Sequence, residues 1–458
     1  MSDAADSPVA EETARSQSGG ELERTLGLTQ ALAIGTGTMV GAGIFVFPGL
    51  AAGEAGPAAM LSFAIGAVVA LLVALPTSEL ATAMPESGGG YYFVSRSLGT
   101  LLGGMVGLGQ WLGLVFASAF YLMGFGHYLE TLAREIGVQA PMPVVGIALG
   151  GAVLLTGVSI TGTENTGDLQ NWIVGALLVL LAGFLGHGGL DVLGVFGRER
   201  VPKAFFPYGT LPVFTTAALV FTSYLGFVQI ATVAGEVKNP GRNLPLSMIG
   251  SVLLVGVLYV LTIFIGTSLL GSERLAGLGE TAVVSVGRTL FGTFGAAAIL
   301  GGGLLATLSS ANASILSASR SIYALSRDGL VPARVQRLNS RYRTPHAALL
   351  LAGGPIAALI LYGRVEILAE VASLLHLFMY GLICVALLVL RRADPDAYTP
   401  SFRCPGVPVV PALGALASFG LIGFMNPLSI GLGLGILAAA AGWSLYYARS
   451  ISLSEVSS

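Results

Sequence analysis

The chain has 458 residues, 54% of them hydrophobic and only 10% charged, with a formal net charge of -2. A soluble domain carries roughly 25% charged residues, so an ordinary cytosolic fold is excluded, and so weak a net charge points to no nucleic-acid or other polyanionic partner. Apolar runs long enough to cross a hydrocarbon core of about 30 Å at 1.5 Å per residue recur from Thr29 to Tyr447.

The first 25 residues are polar and slightly acidic, lack the basic start and apolar stretch of a cleavable signal, and read as a disordered cytoplasmic tail. Twelve spans follow, at 29–53, 57–83, 102–130, 142–160, 169–187, 212–234, 246–270, 292–325, 345–362, 365–390, 409–426 and 428–448. With a cytoplasmic amino terminus, fifteen of the 22 basic residues fall on inside segments, and the dense group from Arg320 to Arg343 contributes most of that bias. The positive-inside rule then puts both termini in the cytoplasm. Cys384 sits in an apolar run and Cys404 in a polar loop, so neither a disulfide framework nor a thiolate metal site is supported.

Span 1 contains Gly35, Gly37, Gly41 and Gly43 at mid-span, each costing about 1 kcal/mol of helix propensity. Unwound backbone at membrane depth survives only where protein buries it or a cavity takes it, so a break here implies a binding site. The half-helix beginning near Gly43 would aim free amides and a positive dipole end at a carboxylate, and freed carbonyls of the first half would take an ammonium. The alternative is that these glycines only let another helix approach closely. Span 6 offers Phe221-Thr222-Ser223-Tyr224-Leu225-Gly226-Phe227, weak by composition but placed to open a second five-span unit, as paired discontinuous helices of an inverted repeat require. Span 8, with Gly301-Gly302-Gly303, is as rich in glycine, so glycine alone does not select span 6.

Four blocks, in this order, carry a resemblance: Gly41-Ala42-Gly43-Ile44-Phe45; Glu79-Leu80 with Pro85-Glu86-Ser87-Gly88-Gly89-Gly90-Tyr91; Glu236 to Pro245, reading EVKNPGRNLP; and Asn312 with Ser319-Arg320 and Ser326-Arg327-Asp328-Gly329. From Leu26 to Tyr447 the chain resembles the amino acid/polyamine/organocation superfamily of permeases. The resemblance implies an all-α membrane domain over 26–448. Two inverted five-helix repeats, about 29–187 and 212–390, would be followed by two extra helices at about 409–448 and a tail at 449–458.

It further implies a substrate held between broken spans 1 and 6, with spans 3, 8 and 10 lining the path. By motif position the amides of Ala42 and Gly43, beside Gly41, would bind a carboxylate, and the carbonyls of Met39, Thr222 and Leu225 the amino group. Thr222 stands where many relatives have an aromatic gate, leaving Phe221 or Tyr224 as the nearest replacement. Where many have an acid after the Gly-Phe pair, this chain has Val228 and then Gln229. In sodium-coupled relatives one ion is held by groups that here would be the Gly37 and Val40 carbonyls and the Ser309 and Ser310 hydroxyls. A second sodium would need an amide side chain where Ile44 stands. The span 5 lysine of some sodium-independent relatives maps to Leu177. No cofactor is expected beyond sodium or a proton as coupling ion.

His376, midway along span 10, could titrate near neutrality, but a neutral histidine hydrogen-bonded between helices is the simpler reading. Glu79 and Arg320, near span ends, read as structural or gating pairs. His127, His187, His346 and His376 are scattered without ligand spacing, and no nucleophile and base pair up, so an enzyme is not expected. The expected function is secondary active transport of amino acids, as symport or exchange in the cell membrane. With no charged side chain in either break, a neutral amino acid is the expected substrate. A polyamine or organic-cation permease and a non-transporting sensor of the same fold are the alternatives.

Overall fold

A computed structural model describes residues 24–447 apart from 87, 139–142, 162–165, 196–201, 203, 338, 340–343 and 394–397. Ser87 of the second block, Arg341 and Arg343 of the basic group, and both tails except Arg24 and Thr25 lie outside the described residues.

The fold is helical throughout. Span 1 is three pieces, α1 (Leu28–Met39), α2 (Ala42–Phe45) and α3 (Phe47–Ala55). Span 2 is α4 (Ala59–Ala83), and a short α5 (Gly90–Leu98) leads into span 3, α6 (Thr100–Glu135). Spans 4 and 5 are α7 (Val144–Thr161) and α8 (Thr166–Val192). Span 6 is again discontinuous: α9 (Leu211–Val220), a 3-10 turn (Phe221–Tyr224) and α10 (Gly226–Thr232). The second half continues with α11 (Pro240–Leu270), a short α12 (Ser272–Leu278), α13 (Ala282–Arg327), α14 (His346–Tyr362) and α15 (Val365–Ala393). Helices α16 (Val409–Ile422) and α17 (Pro427–Tyr447) close the chain.

Eight of the described segments are long and apolar enough to cross a bilayer, three shorter apolar helices supply spans 4, 9 and 11, and the interrupted span 1 completes the twelve. In α13 the chain turns at Phe291 and Gly292, with Gly292 at φ 63, a left-handed conformation that glycine adopts without strain. Span 8 therefore begins at the predicted residue 292.

Large apolar side chains face outward along the belt, with Trp172 and Phe294 each 79% exposed, as suits contact with lipid rather than water. Inside, α13 packs along α6, α11 along α4, and α15 against both α6 and α16. This arrangement encloses the two broken spans, which bury twelve of their residues between 35 and 47 and all of 216–231.

Candidate functional site

Span 1 breaks where its glycines predict. The amide of Val40 closes on the Thr36 carbonyl at 2.8 Å, the chain bends at Val40 and Gly41, and α2 starts at Ala42. The break and the close approach of neighbouring helices occur together, because each gap left by a glycine is filled by another element. A side chain on Gly41 would overlap the Ser310 hydroxyl of α13, and one on Gly43 would overlap the Tyr259 hydroxyl of α11 and lie 2.8 Å from Ser223 of span 6. One on Gly35 would sit 2.6 Å from the Ile230 methyl of α10. The unwound backbone is thereby covered by protein, as membrane depth demands.

Span 6 does not unwind to the same extent. Residues Phe221–Tyr224 tighten into one 3-10 turn with near-helical angles before α10 resumes at Gly226. This is a milder interruption than the broken helix expected there, because a single glycine among good packing residues removes little helix propensity. Gly226 lies directly on span 1: an added side chain there would overlap the Gly35 carbonyl oxygen and come within 2.8 Å of the Met39 side chain. The two interruptions thus face each other. In contrast, Gly301-Gly302-Gly303 stays helical in α13; Gly302 admits Leu180, Phe45 and Leu177, and Gly303 admits the Tyr128 ring.

Tyr259 ties the two interruptions together. Its buried hydroxyl donates to the Met39 carbonyl and lies 3.1 Å from the Ser223 carbonyl, so one proton serves two freed acceptors. A second link is the Thr38 hydroxyl, which donates to Gln229 Oε1 at 2.9 Å. Around the turn in span 6 several buried polar atoms have no protein partner, namely Thr222 Oγ1, Ser223 Oγ, Gln229 Nε2 and, from α15, the Tyr380 hydroxyl. Buried orphans of this kind are rare in native folds and call for a water or a ligand. Tyr380 stands with its ring centre 5.9 Å from that of Phe221 and 5.1 Å from that of Phe227. Phe221 therefore lies between span 6 and span 10, while Tyr224 turns to span 2, where its hydroxyl donates to the Phe63 carbonyl at 2.8 Å.

Of the four groups named for sodium, Ser310 Oγ lies 3.4 Å from the Thr38 carbonyl, beside the bend at Val40 and Gly41. Ser309, one residue earlier on α13, is half-buried, and Gly37 and Val40 are buried in span 1. Leu177 is buried against Gly302 of α13, near Phe45. His376 bonds within its own helix, not between helices: Nδ1 lies 2.8 Å from the Ala372 carbonyl and so carries the proton, while the ring packs on Gly113 of α6.

Glu79 is a structural pair, as its position suggested. It is fully buried, meets Arg391 of α15 at 2.7 Å, and accepts from the Tyr398 hydroxyl at 2.9 Å and the Cys404 amide at 2.6 Å. Arg320 is not. Among the described residues it has no carboxylate within 4.0 Å and no hydrogen bond, and its exposed side chain lines a vestibule. That vestibule has a volume of about 190 Å³ and opens on the face of Gly88, Glu236 and Arg327. It shares Gln110, Thr232 and Ser317 with a smaller cavity of about 10 Å³ that reaches Leu225, Gln229 and His376.

Sequence reasoning missed Tyr259 and the vestibule. A lone tyrosine in an apolar run carries no local signal, and at Gln229 the sequence shows only that an acid is absent.

Comparison with known proteins agrees with this architecture. The family model described as "Amino acid permease" matches residues 26–448. The chain is 31% identical over 413 residues to the branched-chain amino acid permease BcaP of Bacillus subtilis (strain 168), covering 88% of each chain. It is 25% identical over 439 residues to the serine/threonine exchanger SteT of the same organism, covering 93% of this chain and 97% of that one. It is also 30% identical over 395 residues to the vacuolar cationic amino acid transporter 4 of Arabidopsis thaliana, covering 82% of this chain and 64% of that longer one. The chain therefore belongs to the amino acid permease family of the amino acid/polyamine/organocation superfamily, and it is a multi-pass membrane transporter of amino acids rather than an enzyme.

Proposed function

We propose that the protein carries neutral amino acids across the cell membrane by alternating access, with both termini cytoplasmic and the substrate held where spans 1 and 6 are interrupted. The observation that carries this reading is the pairing of two buried interruptions, bridged by Tyr259, with unpartnered polar atoms around them and no charged side chain among their residues. The amides of Gly41, Ala42 and Gly43, at the start of α2, would take the carboxylate. The carbonyls of Met39, Thr222 and Leu225 would take the ammonium, which displaces the Tyr259 hydroxyl from Met39. Phe221, set between spans 6 and 10, would cover the bound molecule, whereas the tether of Tyr224 to Phe63 gives it a supporting role.

What is buried supports a neutral substrate. Among the described residues the buried acids are Glu79 and Glu370. The first is held by Arg391, and the second accepts from Ser429 at 2.5 Å on α17, so neither is directed at the interruptions. BcaP is named for branched-chain amino acids and SteT for serine and threonine, all neutral, which supports the same class here. Any coupling by sodium would use Gly37, Val40, Ser309 and Ser310, an oxygen set that suits one hard cation; a proton is the alternative coupling ion.

The test is uptake of radiolabelled amino acids and polyamines into proteoliposomes of purified protein under imposed sodium or proton gradients. Saturable uptake of a neutral amino acid is expected, and the gradient that drives it names the ion. Preferred uptake of lysine, arginine or a polyamine would overturn the neutral assignment, and no uptake or competition by any of them would leave only the sensor reading.

A further inference from the structure

The vestibule beside α13 holds two opposite charges that the transport site does not use. Arg320 lines it, as does Glu236 at the end of the turn after α10. Among the described residues the Arg320 guanidinium and the Glu236 carboxylate pair neither with each other nor with any other side chain. Arg327 also lines the vestibule and lies 3.5 Å from Asp328, which accepts from the Tyr91 hydroxyl at 2.8 Å. Ser317, Ser321 and the buried Gln110 also line the vestibule; the Gln110 oxygen accepts from the Tyr91 amide at 3.3 Å and its amide protons remain for the cavity.

A cation, an anion and uncharged hydrogen-bonding groups around one small space form the recognition pattern for a zwitterion. A single bound water needs roughly 10–15 Å³ of such space, so the vestibule's 190 Å³ takes a small amino acid while the inner cavity of about 10 Å³ takes at most one water. The passage toward Leu225 is therefore closed to substrate in this conformation, and a molecule arriving from this face would have to wait outside it.

We propose that this vestibule is a second amino acid site, in which Arg320 holds the carboxylate and Glu236 the ammonium of a zwitterion before it passes Gln110, Thr232 and Ser317 toward the interruptions. The proposal rests on the transport reading above and deepens it. It makes the two faces of the transporter unequal: substrate is captured by side-chain charges on the face of Leu26 and Glu236, and by backbone alone at the interruptions.

The experiment measures initial rates of the best neutral amino acid from each face separately, using sealed vesicles of both orientations, for the wild type, Arg320→Gln, Arg320→Lys and Glu236→Gln. Expected are a rise of tenfold or more in KM at the vestibule face for Arg320→Gln and Glu236→Gln, KM at the opposite face within twofold of wild type, and partial recovery in Arg320→Lys. A purely structural or gating role would instead lower the maximal rate from both faces. Should a variant fail to fold, the wild type decides: its vestibule-face KM should climb severalfold as salt is raised from low to high concentration, because exposed charge pairs are screened, while the other face stays flat. Unchanged KM at the vestibule face in the folded variants, or no salt effect on the wild type, overturns the proposal while leaving the transport reading intact. Absence of any amino acid uptake by the wild type would instead remove the reading on which it rests.

Discussion

Replacing Gly226 by alanine should uncouple the two interruptions. The added methyl would overlap the Gly35 carbonyl oxygen, lie 2.8 Å from the Met39 Cγ and 3.1 Å from the Thr38 Cβ. The Met39 side chain can rotate away, but the Gly35 oxygen is part of α1 and moves only if that helix moves. Overpacking of a buried contact costs about 1–3 kcal/mol, which is roughly 5- to 150-fold in the population of the paired geometry. A shift of α1 would also stretch the Thr38–Gln229 hydrogen bond of 2.9 Å and the Tyr259 bridge, so the upper half of that range is expected. Equilibrium binding of a labelled neutral amino acid to purified protein should show the dissociation constant rising by at least tenfold. The control is Gly301→Ala, whose methyl meets nothing within 4 Å and which recovers about 1 kcal/mol of helix propensity; its affinity should equal wild type. Wild-type affinity in Gly226→Ala, or an equal loss in both variants, would refute the reasoning.

Tyr259→Phe removes one neutral hydrogen bond and leaves the Met39 and Ser223 carbonyls without their donor, at about 1–3 kcal/mol for a buried unsatisfied group. The melting temperature of the substrate-free protein should fall, and saturating substrate should recover part of the loss by supplying an ammonium donor; an unchanged melting temperature would count against the bridge. Arg391→Leu removes the cationic partner of the buried Glu79; a buried charge that loses every partner costs about 3–5 kcal/mol. Because Arg391 is itself partly exposed and Tyr398 and the Cys404 amide remain, the loss should lie at or below the lower end, and the paired change Glu79→Leu with Arg391→Leu should be less destabilising than Arg391→Leu alone in denaturation by heat. Burial, reinforced by the Glu79 carboxylate, pushes the Cys404 thiol up to about 12. Since the thiolate is the reactive form and appears only as pH rises toward that value, maleimide should label Cys404 slowly at pH 8 in folded Cys384→Ala protein and rapidly after unfolding; fast labelling of the folded protein would contradict the buried position.

The count of spans was legible because lipid forces long apolar runs, and the break in span 1 because four glycines in nine positions leave little helix propensity. Span 6 was legible only through its place in the repeat, and its tightened turn is milder than that place suggested. The glycines of α13 show why composition misleads: Gly303 exists for the Tyr128 ring, whose hydroxyl reaches the Phe45 carbonyl at 2.8 Å, so the triplet packs a helix without breaking it. Tyr259 and Met39 are 220 residues apart, and Glu79 and Arg391 are 312 apart, distances over which no local pattern links them. The pairing of Glu79 is nevertheless legible from its depth near a span end, whereas the same argument does not carry over to Arg320, which lines the vestibule with no partner among the described residues.

The central claim is that an amino acid is held by backbone groups of the interrupted spans. Its most direct test is an experimentally determined structure of the protein saturated with a transported neutral amino acid. The carboxylate is predicted within hydrogen-bonding distance of the amides of Gly41 to Gly43, and the ammonium against the carbonyls of Met39 and of Thr222 or Leu225, with the Tyr259 hydroxyl withdrawn from Met39. Density for the amino acid elsewhere, with the Tyr259 bridge to Met39 and Ser223 intact, would contradict the account.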